Sequence, residues 1–209
     1  APMPFRTAGV PRDLFEFAFF MYEASNLDKT LLYKIPYRFE YTDPVARIGY
    51  ARTVLVPFNT DETLLVRAEA KSMLNKFDEA LADINTWVNN FYKGDNSVTI
   101  KQVNDFYDSI ETSTSTGMNS KKELNPKFNL AEGTQKNLIH YVLQCRRVLT
   151  LHEGLRWFDV KRYGIPVPRL LTKSNGVFEE ADLLTSDDKR RAIQIPQSVV
   201  DAGLKKNPR

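Results

Sequence analysis

A chain of 209 residues with 42% hydrophobic and 26% charged residues has the balance of a globular domain with a sizeable core, which excludes a fibrous or wholly disordered chain. Its 29 basic and 26 acidic residues leave a formal charge of +3, and the basic groups are scattered, so no nucleic-acid partner is implied. No run of eighteen apolar residues occurs, which excludes a helical membrane span within the chain.

The chain opens Ala1-Pro2-Met3-Pro4-Phe5, with neither a basic leader nor a lipid-accepting cysteine, and is expected to be a processed chain or a piece of a longer one. Residues 11–24 crowd Leu14, Phe15, Phe17, Phe19, Phe20, Met21 and Tyr22 together, which reads as an apolar helix or a buried strand. From Lys29 to Phe58, Pro36, Pro44, Gly49 and Pro57 punctuate short pieces carrying Tyr33, Tyr37, Phe39, Tyr41 and Tyr50, and the expectation is an extended, loop-rich lead-in over residues 1–58.

Asn59 followed by Glu62 has the spacing of a capping box, and Leu64, Leu65, Ala68 and Met73 behind it keep near-helical spacing. After a break at Asn75-Lys76-Phe77, Asp78 is the expected cap of a second helix with Leu81, Ile84, Trp87, Val88 and Phe91 on its apolar face. Residues 59–92 therefore predict a tetratricopeptide-like helical hairpin, with Ala68 and Ala80 small enough to let the helices approach closely. In residues 93–134 a shorter helix carries Ile100, Val103, Tyr107 and Ile110, and Glu111 to Gly133 is polar and aperiodic, as in a long exposed loop.

From Gln135 the period returns with Leu138, Val142, Cys145, Leu149 and His152 on one stripe, so residues 135–164 predict one long helix bent at Gly154. Cys145 is a packing residue on this reading, and His152 a packed histidine. Glu153, Arg156, Asp159 and Arg162 recur every third residue, a slanted stripe in which each acid has a base one turn away. Residues 165–209 read as a C-terminal tail: Pro166 and Pro168 stop the helix, Asn175-Gly176 makes a turn, and Asp187 to Arg191 is a solvated charge run.

The run Arg146-Arg147 followed by Glu153-Gly154-x-Arg156-Trp157-Phe158-Asp159-x-x-Arg162 resembles the signature of the SusD/RagB family of nutrient-binding lipoproteins. Glu62 to Ala70, ending in Ala68-Glu69-Ala70, then Ala80 to Asn85, and finally Ile193-Gln194-Ile195-Pro196 and Lys206-Asn207-Pro208 are similar to further family elements in the right order. The resemblance covers about residues 53–209, the family's C-terminal portion. Cys145 and Leu149 stand where the family usually carries glutamates, and His152 where it carries an aromatic.

The resemblance implies a mainly α, SusD-like helical fold with long irregular loops, in a single region over residues 1–209. It further implies a non-catalytic protein at the outer-membrane surface that binds oligosaccharide and delivers it to a SusC-like TonB-dependent transporter. No cofactor or metal is expected, and membrane association would run only through a lipid anchor not carried by these residues. Arg146, Glu153, Gly154, Arg156, Trp157, Phe158, Asp159 and Arg162 are expected to be scaffold, and Tyr33, Tyr37, Tyr41 and Tyr50 with Arg38 are the candidate ligand contacts, because aromatic faces stack on sugar rings while polar groups satisfy hydroxyls.

Two other readings remain at this stage. One is a peptide-binding RagB-like protein, or a tetratricopeptide-like scaffold whose groove holds a partner protein. The other is a glycoside hydrolase using a pair drawn from Glu111, Glu123, Asp182 and Asp187, although no zinc-protease pattern, phosphate loop or nucleophile elbow supports an enzyme.

Overall fold

The computed structural model describes residues 20–22, 31–33, 38–52, 58–92, 94–112, 121–151 and 153–208, of which residues 20–22, 31–33 and 38 are described by backbone alone. Among them the chain is mainly α. Two antiparallel strand pairs come first: β1 (Phe20–Tyr22) with β2 (Leu31–Tyr33), and β3 (Arg38–Asp43) with β4 (Ile48–Arg52). The aromatic run at residues 20–22 is therefore strand. Residues 38–52 form a hairpin where a loop was expected, because the alternation of Phe39, Tyr41 and Tyr50 with polar residues has a period of two, and Asp43 Oδ1 accepts from the Val45 and Ala46 amides to close the turn.

The helical hairpin follows as α1 (Thr60–Met73) and α2 (Phe77–Phe91). Asn59 caps α1 by accepting from the Glu62 amide at 2.6 Å. The second cap differs from expectation: α2 starts at Phe77 after Lys76, and Asp78 lies in its first turn, favourable to the helix dipole but bonded to no orphan amide. Ala68 and Ala80 are fully buried between the helices, and Leu81, Ile84, Trp87, Val88 and Phe91 bury as one stripe. Asp83 locks the pair by accepting from Arg67 Nε at 2.9 Å and Nη2 at 2.7 Å, with Lys71 Nζ also 2.9 Å away.

Helix α3 (Ile100–Ser109) begins with a complete capping box between Thr99 and Gln102, a signal present in the sequence but unread there. Helix α4 (Thr134–Leu149) is the centre of the molecule. Its expected single stripe is too narrow a description, since Leu138, Tyr141, Val142, Cys145 and Leu149 enter one core with α1–α3 while Ile139 and Leu143 enter a second with Leu124, Val160, Tyr163 and Ile165. A helix buried on most sides must satisfy its polar groups internally. Gln135 does so by donating to Ser72 O, Met73 O and Asn75 Oδ1 and accepting from the Ala131 amide.

The one long helix expected over residues 135–164 is two: α4 stops at Leu149, and α5 (Arg156–Arg162) begins after a turn in which Gly154 has φ +77°. Nothing lies within 4 Å of where a Gly154 Cβ would stand, so the glycine serves the turn rather than a close approach. Gly164 is the glycine of close approach: an added Cβ would lie 2.1 Å from Asn125 O, at φ +57°. The Asn125 amide donates to Tyr163 O at 2.8 Å, Leu124 is buried, and Lys121 Nζ donates to Tyr107 O and Ile110 O at the end of α3, so residues 121–130 are packed rather than an exposed loop.

The expected tail is also built. Strands β5 (Val167–Thr172) and β6 (Phe178–Leu184) pair across the Asn175-Gly176 turn, then a 3-10 turn (Lys189–Arg191) and α6 (Gln197–Asp201) follow. Asp187 to Arg191 is only partly a solvated run. Arg191 is buried and donates to four backbone carbonyls, those of Val160 at 3.0 Å, Ile165 and Thr185 at 2.6 Å and Leu184 at 3.4 Å, which ties this turn to α5 and β6. Arg190 clasps Asp182 and Asp188.

Candidate functional site

The charges read as a stripe along one helix belong instead to a cluster between three helices. Glu69 of α1 is its centre: Oε2 lies 2.6 Å from Arg146 Nη1 of α4, while Oε1 accepts from Arg162 Nε at 2.8 Å and from the Tyr163 hydroxyl at 2.5 Å. Arg146 Nη2 lies 2.8 Å from Asp159 Oδ1, a charge contact without an aligned hydrogen bond. Arg156 Nη1 reaches Asp159 Oδ2 at 3.2 Å and Leu143 O at 3.3 Å. Of the expected pairs one turn apart, Arg156–Asp159 forms. Glu153 stands outside α5, in the turn, its amide donating to Thr150 O. Trp157 packs on the second core, whereas Phe158 is exposed.

Burial alone would raise the Glu69 carboxyl, but the Arg146 charge and the bonds from Tyr163 and Arg162 outweigh it and hold its pKa below the ordinary value. Asp159 goes the other way: burial raises it, and Arg146 and Arg156 only partly compensate. The Tyr163 phenol is pushed up, first by burial and then by the Glu69 charge it donates to. Glu69 is thus the better-served anion of the two. Such a cluster fixes helix geometry, and it presents no reactive group: every acid in it is engaged by a guanidinium.

The candidate ligand contacts divide. Tyr33 lies in β2 opposite Phe20, and Tyr37 falls outside the described residues. In the β3–β4 hairpin, Arg38 pairs with Arg52, Glu40 with Tyr50, Phe39 with Ala51 and Tyr41 with Gly49. Directly opposed residues share a face, so Tyr41 and Tyr50 stand on opposite faces. One face carries Arg52 bonded to Glu40 at 2.7 Å, beside Tyr50. The other is aromatic: the rings of Phe39 and Tyr41 meet edge to face at 4.9 Å, at 40% and 53% exposure, and Phe39 lies over Gly49. Phe39 was not among the expected contacts, although its spacing of two from Tyr41 carried the signal.

Three of the four carboxylates considered for glycoside hydrolysis have partners elsewhere. Arg190 holds Asp182 below its ordinary pKa, Asp187 faces Lys127 at 3.8 Å, and Glu123 accepts from Asn125. As a general acid, Asp182 would need the opposite shift. His140 is buried against the Tyr107 ring at 5.4 Å, its pKa pushed down to about 3 by burial, then by Lys136, Lys121 and Arg156, so it stays neutral. The Cys145 thiol is pushed up by complete burial and is inert. Among the described residues no three metal-ligating side chains gather, and no helix is long and apolar enough to cross a membrane.

Comparison of the chain with protein-family models, with characterised proteins and with solved structures finds no match.

Proposed function

We propose that this chain is a SusD/RagB-type binding protein that captures oligosaccharide at the outer-membrane surface, without catalysis, and passes it to a SusC-like TonB-dependent transporter. The observation that carries this reading is the Glu69 cluster. Two segments that separately resemble family elements, Ala68-Glu69-Ala70 and Arg156-Trp157-Phe158-Asp159, meet in space through Arg146, with Glu69 and Arg162 93 residues apart. A resemblance due to chance has no reason to place its parts in one buried ion cluster. The SusD-like fold and the surface location rest on the same resemblance.

The ligand face on this reading is the Phe39–Tyr41 face of the β3–β4 hairpin, and Tyr50 stands on the opposite face. Rings already exposed in the free protein can stack on a sugar without a prior rearrangement. The test is titration calorimetry against a glycan panel with Phe39→Ala and Tyr41→Ala together. Affinity for the bound glycan should fall by about tenfold or more, with the melting temperature unchanged because both rings are exposed. Unchanged affinity removes the hairpin as the site. Absence of any bound glycan, with a SusC-like transporter retained in a pulldown, would favour the protein-scaffold alternative.

A further inference from the structure

A cleft of about 370 Å³ opens between the end of α4, residues 122–123, α5 and the β5–β6 hairpin, away from the aromatic face of the β3–β4 hairpin. Three cations converge there from separate segments: Lys122, Arg147 in the last turn of α4, and Arg156 at the start of α5. Arg147 is exposed and makes no ion pair or side-chain hydrogen bond among the described residues. Arg156 uses only Nη1 for Asp159 and Leu143, which leaves Nε and Nη2 as spare donors among the described residues. The remaining wall is aliphatic, built from Val160, Ile165, Pro166, Val167, Pro168 and Leu183.

Arg147 and the spare nitrogens of Arg156 can take an anion, and Lys122 stands beside them in the cleft. The Lys122 ammonium is pushed below the ordinary lysine range by burial first and then by the charges of Arg147 and Arg156. An incoming anion relieves that repulsion, and two guanidinium groups offer the fork geometry that a carboxylate accepts in bidentate form. Glu123 and Glu180 also line the cleft; Glu123 is held by Asn125 Nδ2 at 2.9 Å, and Glu180 stands opposite Leu170 on the hairpin. They limit the anion to a single charge, because a phosphate ester or a polyanion would meet them. Among the described residues no aromatic ring lines the cleft, so the body of the ligand packs on aliphatic surface rather than stacking.

The geometry points to this cleft as a binding site for the carboxylate of a small organic acid, held by Arg147, Lys122 and Arg156 with its apolar body on the Val160–Pro168 wall. The reading is independent of glycan capture at the hairpin. The carboxylate can come from the C-terminus of a short peptide or from a uronic acid, and the two differ in whether an aliphatic or a hydroxylated body follows it.

The test is an NMR titration of the whole chain with N-acetyl-leucine, with its uncharged amide, and with galacturonate. At least one acid should saturate the Lys122 and Arg147 side-chain signals, the amide should not, and Lys122 should titrate at higher pH once the acid is bound. Preference for N-acetyl-leucine identifies the peptide terminus as the source, and preference for galacturonate the uronic acid. Arg147→Gln should weaken binding about tenfold, since a charge-assisted pair is lost from an exposed residue on which the fold does not depend. Lys122→Gln should weaken it in the same direction. Failure of both acids to saturate, equal binding of the amide, or unchanged affinity in Arg147→Gln overturns the assignment.

Discussion

Glu69→Gln is the most informative single change, because it keeps the shape of the side chain while removing the charge that Arg146 and Arg162 share. Breaking a buried ion pair by neutralising one partner costs about 3–5 kcal/mol, against about 0–1 kcal/mol for a surface pair. Which applies is decided by exposure. The Arg146 side chain is only 11% exposed, so its contact at 2.6 Å is of the costly kind, whereas Arg162 is 55% exposed and its share is screened. Arg146 keeps Asp159 at 2.8 Å, and the amide oxygen can still accept from Tyr163, which holds the loss to about 3 kcal/mol, the lower end of the range. Urea unfolding followed by near-ultraviolet circular dichroism measures it, and a cycle with Arg146→Met isolates the pair, whose losses should be well short of additive. A loss below about 1 kcal/mol would refute the buried-brace reasoning and leave the cluster as surface decoration. The pH dependence has a definite sign. The folded pKa of Glu69 is depressed, so its contribution is complete above the ordinary carboxylate range and is lost as pH falls through the folded value. Asp159, with its folded pKa raised, works in the opposite direction, so Glu69→Gln should flatten the acid limb of the stability curve and Asp159→Asn should not.

His140 supplies a separate pH signature. Its ordinary value of 6.5 falls to about 3 in the folded protein, so the unfolded chain binds a proton that the folded chain refuses, and stability declines as pH drops below 6.5. At 1.36 kcal/mol per unit, the loss between pH 7.5 and 5 is about 2 kcal/mol. His140→Phe, which keeps the stack on Tyr107, should abolish that part of the slope in denaturation curves across this range; an unchanged slope would show that the imidazole is charged in the folded state. The two interrupting glycines should differ sharply. Gly154→Ala faces open space and should cost about 1 kcal/mol for its positive φ, whereas Gly164→Ala must also displace the Asn125 carbonyl and should lower the melting temperature several-fold further. Equal shifts in calorimetry would argue against the close approach of residues 121–130.

The sequence by itself determined helices α1 to α3, because local rules act over one or two turns. The Asn59 cap, the stripe from Leu81 to Phe91 and the small pair Ala68 and Ala80 are all recognisable at spacings of three and four, and each is buried or bonded accordingly. The same rules misplaced what depends on partners far along the chain. Glu153 had the spacing for the ion stripe, but the turn at Gly154 removes it from α5, and the acid in that place is Glu69, brought by α1. Nothing local marks an acid that will meet a guanidinium 93 residues away. Arg191 reads as one more charge in a solvated run until β6 and α5 offer it four carbonyls.

Residues 165–184 read as a tail because prolines at 166 and 168 mask the alternation of β5, and the edge of a two-stranded hairpin tolerates them. The aromatic alternation at 39, 41 and 50 was visible, but which rings share a face depends on register, and register is set by the turn at Asp43. The cleft of Lys122, Arg147 and Arg156 had no sequence signal at all. It exists only because Gly164 lets residues 121–130 lie against the end of α5, which brings a loop lysine to two arginines on separate helices.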